Sequence, residues 1–181
     1  MANAANVTHL RTSDGSATMA LNLSADGRWL SAGDFEGNIN AWDLESGGPG
    51  IRLSGLGRQL AGLGVLPDHR TLISTGWELR FWDLPTQAQL VRIDLPTHSF
   101  HRGVLSRDGR RLAIGGRGYV AVWDTVSRRE LLNLKGPSGF VQVLGFLPDN
   151  VSLVAASTEE LRMWRATPIL ETTSERSRAS N

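Results

Sequence analysis

Few side chains in this sequence combine the residue types and the spacing that metal binding requires. His98 and His101 form a His-x-x-His pair, which could offer two imidazole ligands to zinc. The sequence has no cysteine to complete such a site, and the nearest carboxylate is that of Asp94. We therefore expect a solvated loop at this position, with no metal and no cofactor.

The run Gly115-Gly116-Arg117-Gly118 is a second candidate for chemistry, because glycine-rich loops can cradle phosphate groups. A phosphate cradle opens a helix, whereas the residues that follow, Tyr119 to Trp123, are typical of a strand. We expect a hairpin turn here. The hydrolase motifs Gly-x-Ser-x-Gly and His-Glu-x-x-His are also absent, so the sequence predicts no enzymatic activity.

The composition indicates a globular protein without a strong electrostatic preference. Hydrophobic residues make up 40% of the chain and the formal net charge is +1, which argues against a nucleic-acid binder. No stretch approaches the roughly 18 apolar residues of a membrane helix, and Met1 to Val7 lack the apolar core of a signal peptide. We expect a soluble, cytoplasmic protein that binds neither nucleic acid nor membrane.

The elements of the chain follow an internal repeat with a period near forty residues. An apolar residue followed by tryptophan recurs at spacings of 40, 41 and 41, and aspartate follows the first three tryptophans. The four pairs are Trp42-Asp43, Trp82-Asp83, Trp123-Asp124 and Trp164-Arg165. Such a fixed period indicates repeated supersecondary units.

Each tryptophan is preceded by a tight-turn signal centred on an aspartate. The turns contain Pro, Gly or Asn, which suit turn backbones, and a leucine follows each aspartate by four residues. Apolar residues alternate with period two before these turns, as in strands with one buried face. The four turn aspartates are Asp26, Asp68, Asp108 and Asp149. We therefore expect at least three strands in each unit.

These features together resemble the Trp-Asp (WD) repeat β-propeller family, with four degenerate repeats covering most of the chain. The resemblance implies an all-β fold: a partial or small propeller of four blades, each with four antiparallel strands. We expect blades at about 7–53, 54–95, 96–134 and 135–170, between a disordered start at 1–6 and a disordered tail at 171–181. The Gly-His pair and the hairpin aspartate of the family are missing, so the partners of the tryptophans cannot be assigned.

The number of blades raises the question of what covers the two end blades. An open arc of four would leave one apolar face bare at each end. A four-bladed ring, two chains in an eight-bladed ring, or a fragment of a larger protein would each answer it, and we favour an assembly or a fragment. Val7 to Leu10 and Pro168 to Thr172 compete to be the outer strand of the last blade.

The resemblance implies a protein-interaction scaffold whose partner is unknown. Partners would contact the face formed by the hairpins between the second and third strands and by the segments leading into the first strands. On this chain that face gathers Phe35, Arg58, Trp77, His98, Arg117, Phe140 and Glu159. Phe35 and Trp77 could instead fold over a neighbouring blade.

Two alternatives to this scaffold stay open. One is a structural homo-oligomer that completes a larger ring by self-association through open blade faces, and the other is a regulatory propeller fragment of a multidomain bacterial protein such as a kinase. We do not expect a propeller enzyme, because the inner strands carry almost no carboxylates or histidines.

Overall fold

A computed structural model describes Leu10 and residues 17–54, 60–95 and 102–165. These residues form an all-β fold, a four-bladed β-propeller in which each blade is one antiparallel sheet. Within each sheet the strands are hydrogen-bonded in chain order. The predicted fold class is therefore confirmed.

The first two sheets have four strands each. Within a sheet, every strand is antiparallel to the next and is joined to it by a short connection. The first sheet contains β1 (Thr18–Leu23), β2 (Trp29–Asp34), β3 (Ile39–Asp43) and β4 (Ile51–Leu53). The second contains β5 (Leu60–Val65), β6 (Thr71–Gly76), β7 (Glu78–Asp83) and β8 (Ala88–Asp94).

The third and fourth sheets differ in their outer strands. The third contains β9 (Arg102–Leu105), β10 (Arg111–Gly115), β11 (Arg117–Asp124) and β12 (Arg129–Phe140). The fourth contains β13 (Val143–Phe146), β14 (Leu153–Ala156) and β15 (Leu161–Trp164). Strand β12 continues past residue 134, so the third sheet reaches further than its expected segment. Residues 1–9 and 166–181 lie outside the described residues, and with them the expected disordered ends and both candidates for the outer strand of the last blade except Leu10.

The predicted turns and the tryptophan repeat occupy equivalent places in all four sheets. The residue after each turn aspartate has a positive φ, between 54° and 78°, at Gly27, His69, Gly109 and Asn150. Each repeat tryptophan lies on the third strand of its sheet and opposes the leucine that follows its turn. These cross-strand pairs are Leu30 with Trp42, Leu72 with Trp82, Leu112 with Trp123, and Leu153 with Trp164.

Successive sheets pack through two kinds of face, which we call leading and trailing. The leading face carries the repeat tryptophan and is turned to the preceding sheet, whereas the trailing face is turned to the following sheet. Trp82 packs with Ile39 and Ala41 of the sheet before it, and Trp123 packs with Leu79 and Phe81. At the third interface, Trp164 packs against the cluster that holds Val120 and Val122. The core of the molecule therefore consists of three separate interfaces, each a leading face on a trailing face.

Close approach at these interfaces depends on small residues. A Cβ atom at Gly33 on the first sheet would lie 2.5 Å from Cδ1 of Leu60 on the second, well inside van der Waals contact. Any larger residue at this position would force the Leu60 side chain to move.

Candidate protein-binding face

One end of the propeller is formed by the turns that join the second and third strands of each sheet. Because the sheets run in chain order and their first strands lie side by side, these four turns share one end. We call this end the hairpin face, and it includes the segment at residues 136–141 that leads into the fourth sheet. Its turns lie at residues 35–38, 77, 116 and 157–160.

Phe35 is presented to solvent by a turn whose backbone is fixed. The carboxylate of Asp34 accepts hydrogen bonds from the backbone N–H of Asn38 at 2.8 Å and from its side-chain amide at 2.9 Å. The backbone N–H of Phe35 donates to the carbonyl of Ala17 at 3.0 Å. Phe35 itself remains half exposed. An ordered turn lowers the entropy cost of placing an aromatic side chain against a partner.

Arg117 and Phe140, predicted separately, are brought together on this face. They are cross-strand neighbours on β11 and β12, and the guanidinium carbon of Arg117 lies 5.6 Å from the centre of the Phe140 ring. Both side chains are exposed. A cation–π contact at an exposed position contributes about 0.5–1 kcal/mol, which favours the arrangement in which the two side chains lie together.

The segment that carries Phe140 is tied to the fourth hairpin by Glu160. Its carboxylate accepts hydrogen bonds from the backbone N–H of Ser138 at 3.1 Å and from the Ser138 hydroxyl at 3.4 Å. The hydrogen bond from the Arg162 guanidinium, followed by the one from the Ser138 backbone, lowers the pKa of Glu160. Glu159 lies exposed beside it. The third and fourth sheets thus form one continuous part of the hairpin face.

Of the three remaining residues predicted for this face, the structure describes Trp77. Trp77 is half-buried at the tip of the second hairpin, beside the ion pair between Glu78 and Arg80. Arg58 and His98 lie outside the described residues, as does His101 of the His-x-x-His pair. Within residues 17–54, 60–95 and 102–165, no group of three or more His, Asp or Glu side chains is placed to hold a metal ion.

The opposite end of the propeller shows what the aspartates of the repeat do. Asp43 accepts a bidentate hydrogen bond from Arg28, with Nη2 2.8 Å from Oδ2, and its Oδ1 also accepts the backbone N–H of Glu45. The Arg28 hydrogen bond is the largest cause that lowers the pKa of Asp43 to about 2. Asp83 accepts a hydrogen bond from Nε of Arg70 at Oδ1, and from the backbone N–H and the hydroxyl of Thr86 at Oδ2. The repeat aspartate therefore joins two turns of its own sheet.

The third and fourth repeats keep less of this arrangement. Asp124 accepts the backbone N–H of Ser127 at 2.6 Å. In the fourth repeat Val151 stands where the first two have arginine, and Arg165 stands where they have aspartate, so both members of the pair are replaced together. Sequence reasoning missed this link, although an arginine two residues after Asp26, Asp68 and Asp108 was a visible signal for it.

The partner of one repeat tryptophan is also resolved. Nε1 of Trp82 donates to the hydroxyl of Ser74 at 3.0 Å in the buried first interface. The position equivalent to Ser74 in the third sheet is Ile114, and Nε1 of Trp123 has no hydrogen-bond partner in the described part of the chain. Only the second blade combines the tryptophan with a hydroxyl at this position.

A bowl-shaped cavity of about 650 Å³ opens at the centre of this second end. It is lined by one turn from each sheet, with Leu23, Val65, Leu105 and Phe146 among its apolar residues. At its rim Nδ1 of His69 lies 3.4 Å from Oδ2 of Asp26, which links the first two sheets. Ser24, at the same rim, donates its hydroxyl hydrogen bond to Oδ1 of Asp26. The apolar floor of such a cavity can accept apolar side chains.

No helix long and apolar enough to span a bilayer occurs among the described residues.

No protein-family model matches the chain. A stretch of 68 residues is 37% identical to the U5 small nuclear ribonucleoprotein 40 kDa protein of Homo sapiens, covering 35% of this chain and 19% of that protein. The Mus musculus protein of the same name matches over the same shares.

A longer and weaker similarity covers nearly the whole chain. The B-type cell cycle switch protein ccs52B of Medicago truncatula is 24% identical over 160 residues, which are 84% of this chain and 33% of that protein. Both kinds of relative are WD-repeat proteins. The chain spans about a fifth of the first relatives and a third of the second.

Proposed function

We propose that this chain is a WD-repeat propeller that acts as a non-catalytic scaffold in the cytoplasm and binds a protein partner through the hairpin face. The proposal depends most on the Arg117–Phe140 pair, which stands exposed at the same end of the propeller as the ordered turn that presents Phe35. Aromatic and arginine side chains on a rigid support are the residues that dominate protein interfaces. The WD-repeat relatives support the same role for the fold.

The proposal is tested by comparing what co-purifies with the tagged chain and with two variants. Phe140→Ala removes half of the exposed pair, and Val126→Ala is the matched control, since Val126 is exposed in the turn between β11 and β12 at the other end. Quantitative mass spectrometry should find proteins retained by the wild type and by Val126→Ala but depleted several-fold from Phe140→Ala. Equal retention by all three chains would overturn the hairpin face as the binding surface.

A second candidate function is a structural homo-oligomer. The observation that favours it is the exposure of apolar side chains on the two outermost blade faces, Leu21 on the first sheet and Leu161 on the fourth. This role uses surfaces other than the hairpin face, so the two functions are compatible. A regulatory propeller within a multidomain protein would cover the same two faces with further blades of a longer chain, so these exposed side chains do not separate it from the homo-oligomer.

A further inference from the structure

The trailing face of the fourth sheet is an interblade surface that has no neighbouring sheet among the residues that the structure describes. In the first three sheets the two third-strand positions of this face are filled by Ile39 and Ala41, Leu79 and Phe81, and Val120 and Val122. All six side chains are at most 3% exposed. The equivalent residues of the fourth sheet are Leu161 and Met163, which are 66% and 48% exposed. The same positions that form the core elsewhere therefore face solvent here.

The leading face of the first sheet is open in its inner half. Leu21 and Leu23 on β1 are 70% and 54% exposed, whereas their equivalents on β5, Leu63 and Val65, are buried in the first interface. Further out on the same face, Ala32 and Trp42 are buried, and Trp42 lies against the backbone of Gly50. The exposed surface is thus a strip along the innermost strand.

The exposed strip of the first sheet and the exposed face of the fourth sheet correspond to the two sides of an interblade interface. At each of the three interfaces within the chain, an apolar leading face covers an apolar trailing face. The trailing face of the fourth sheet should therefore accept a leading face, and the first sheet carries one. Among the described residues, no cluster of buried side chains joins the first and fourth sheets.

We propose that two copies of this chain associate, with the leading face of the first sheet of each copy packed on the trailing face of the fourth sheet of the other. Two such contacts are related by a two-fold axis and complete an eight-bladed ring. The association uses the blade faces at the ends of the arc, so it leaves the hairpin face free. It rests on the homo-oligomer role proposed above, which it specifies, and it is independent of the partner-binding role.

The mass of the full-length chain in solution tests this assembly. Sedimentation or light scattering across a range of concentrations should give a species of twice the 19.7 kDa chain mass, with no larger species as the concentration rises. A monomer at every concentration would overturn the proposal. A series of growing species would overturn the closed ring, because a contact of this type that does not close makes filaments.

Single substitutions identify the faces involved. Leu21→Asp and Met163→Asp should each raise the dissociation constant about tenfold or more, since each contact buries both side chains. Val126→Asp is the control, because this exposed turn residue lies on neither face, and it should leave the mass unchanged. If Met163→Asp dissociates the pair and Leu21→Asp does not, the contact is trailing face on trailing face, and the proposal is wrong.

Folding of the variants is checked separately. Both residues are exposed in the single chain, so the variants should keep the circular dichroism of the wild type. If either aspartate variant loses it, Leu21→Ser and Met163→Ser replace them and should weaken the dimer in the same order. Phe140→Ala should not change the mass, which separates this proposal from the binding role of the hairpin face.

Discussion

The guanidinium of Arg28 holds the carboxylate of Asp43 from a distance of fifteen residues along the chain. Nε and Nη2 donate to the two carboxylate oxygens at 3.2 and 2.8 Å, so the pair is bidentate. Arg28 follows the turn between β1 and β2, and Asp43 begins the turn between β3 and β4. The pair therefore fixes two turns of one sheet against each other at the end opposite the hairpin face.

This pair should make the first blade sensitive to acid. The pKa of Asp43 lies at about 2, below its ordinary value of 3.8, chiefly because of the hydrogen bond from Arg28. A carboxyl group with a lowered pKa in the folded state contributes stability above its unfolded pKa and loses it as the pH falls through the folded one. The difference in free energy of unfolding between the wild type and Asp43→Asn should therefore shrink between pH 3.8 and about 2.

Chemical denaturation at several pH values measures this difference. Arg28→Met is measured alongside Asp43→Asn. Removing the guanidinium removes the main cause of the lowered pKa of Asp43, so the free energy of unfolding of this variant should depend less on pH in this range. A gap between wild type and Asp43→Asn that stays constant down to pH 2 would contradict the assigned role of the pair.

The hydrogen bond between Trp82 and Ser74 should contribute to stability in the second blade. Ser74→Ala leaves a buried indole N–H without an acceptor, which costs about 1–3 kcal/mol. Urea denaturation followed by tryptophan fluorescence measures the loss. Ser54→Ala, at an exposed position after β4, is the matched control and should change the free energy of unfolding by less than about 0.5 kcal/mol. Equal effects of the two substitutions would show that the bond contributes nothing.

Trp77→Ala tests whether the half-buried tryptophan of the hairpin face belongs to the binding surface or to the core. We expect the variant to lose partner binding while its melting temperature stays within a few degrees of the wild type. Differential scanning calorimetry, together with binding to a partner retained by the wild type, gives both quantities. A large loss of thermal stability would place Trp77 in the core instead.

The parts of the fold that depend on local chemistry were predicted from the sequence. Gly27, Gly109 and Asn150 mark turns because their residue types tolerate positive φ, and the structure places each there. The repeat tryptophans recur once in each sheet, as their spacing of about forty residues predicts, and each lies on the third strand. Such features need only a few neighbouring residues to be recognised.

The features that the sequence did not reveal depend on distant neighbours. Phe140 pairs with Arg117 because β12 continues to residue 140, a length set by its pairing with β11 rather than by its own composition. Likewise, Val122 and Met163 occupy the same repeat position and are both apolar. They differ in exposure because the third sheet has a sheet packed on its trailing face, whereas among the described residues the fourth sheet has none.

The matched pair Leu79→Ala and Leu161→Ala tests the packing of leading on trailing faces most directly, because both leucines occupy the same position of the repeat. At concentrations where the chain is monomeric, Leu79→Ala should lower the free energy of unfolding by about 2–5 kcal/mol, since its side chain is fully buried. Leu161→Ala should change it by less than about 0.5 kcal/mol, since its side chain is exposed. Equal losses in the two variants would contradict the packing of leading faces on trailing faces.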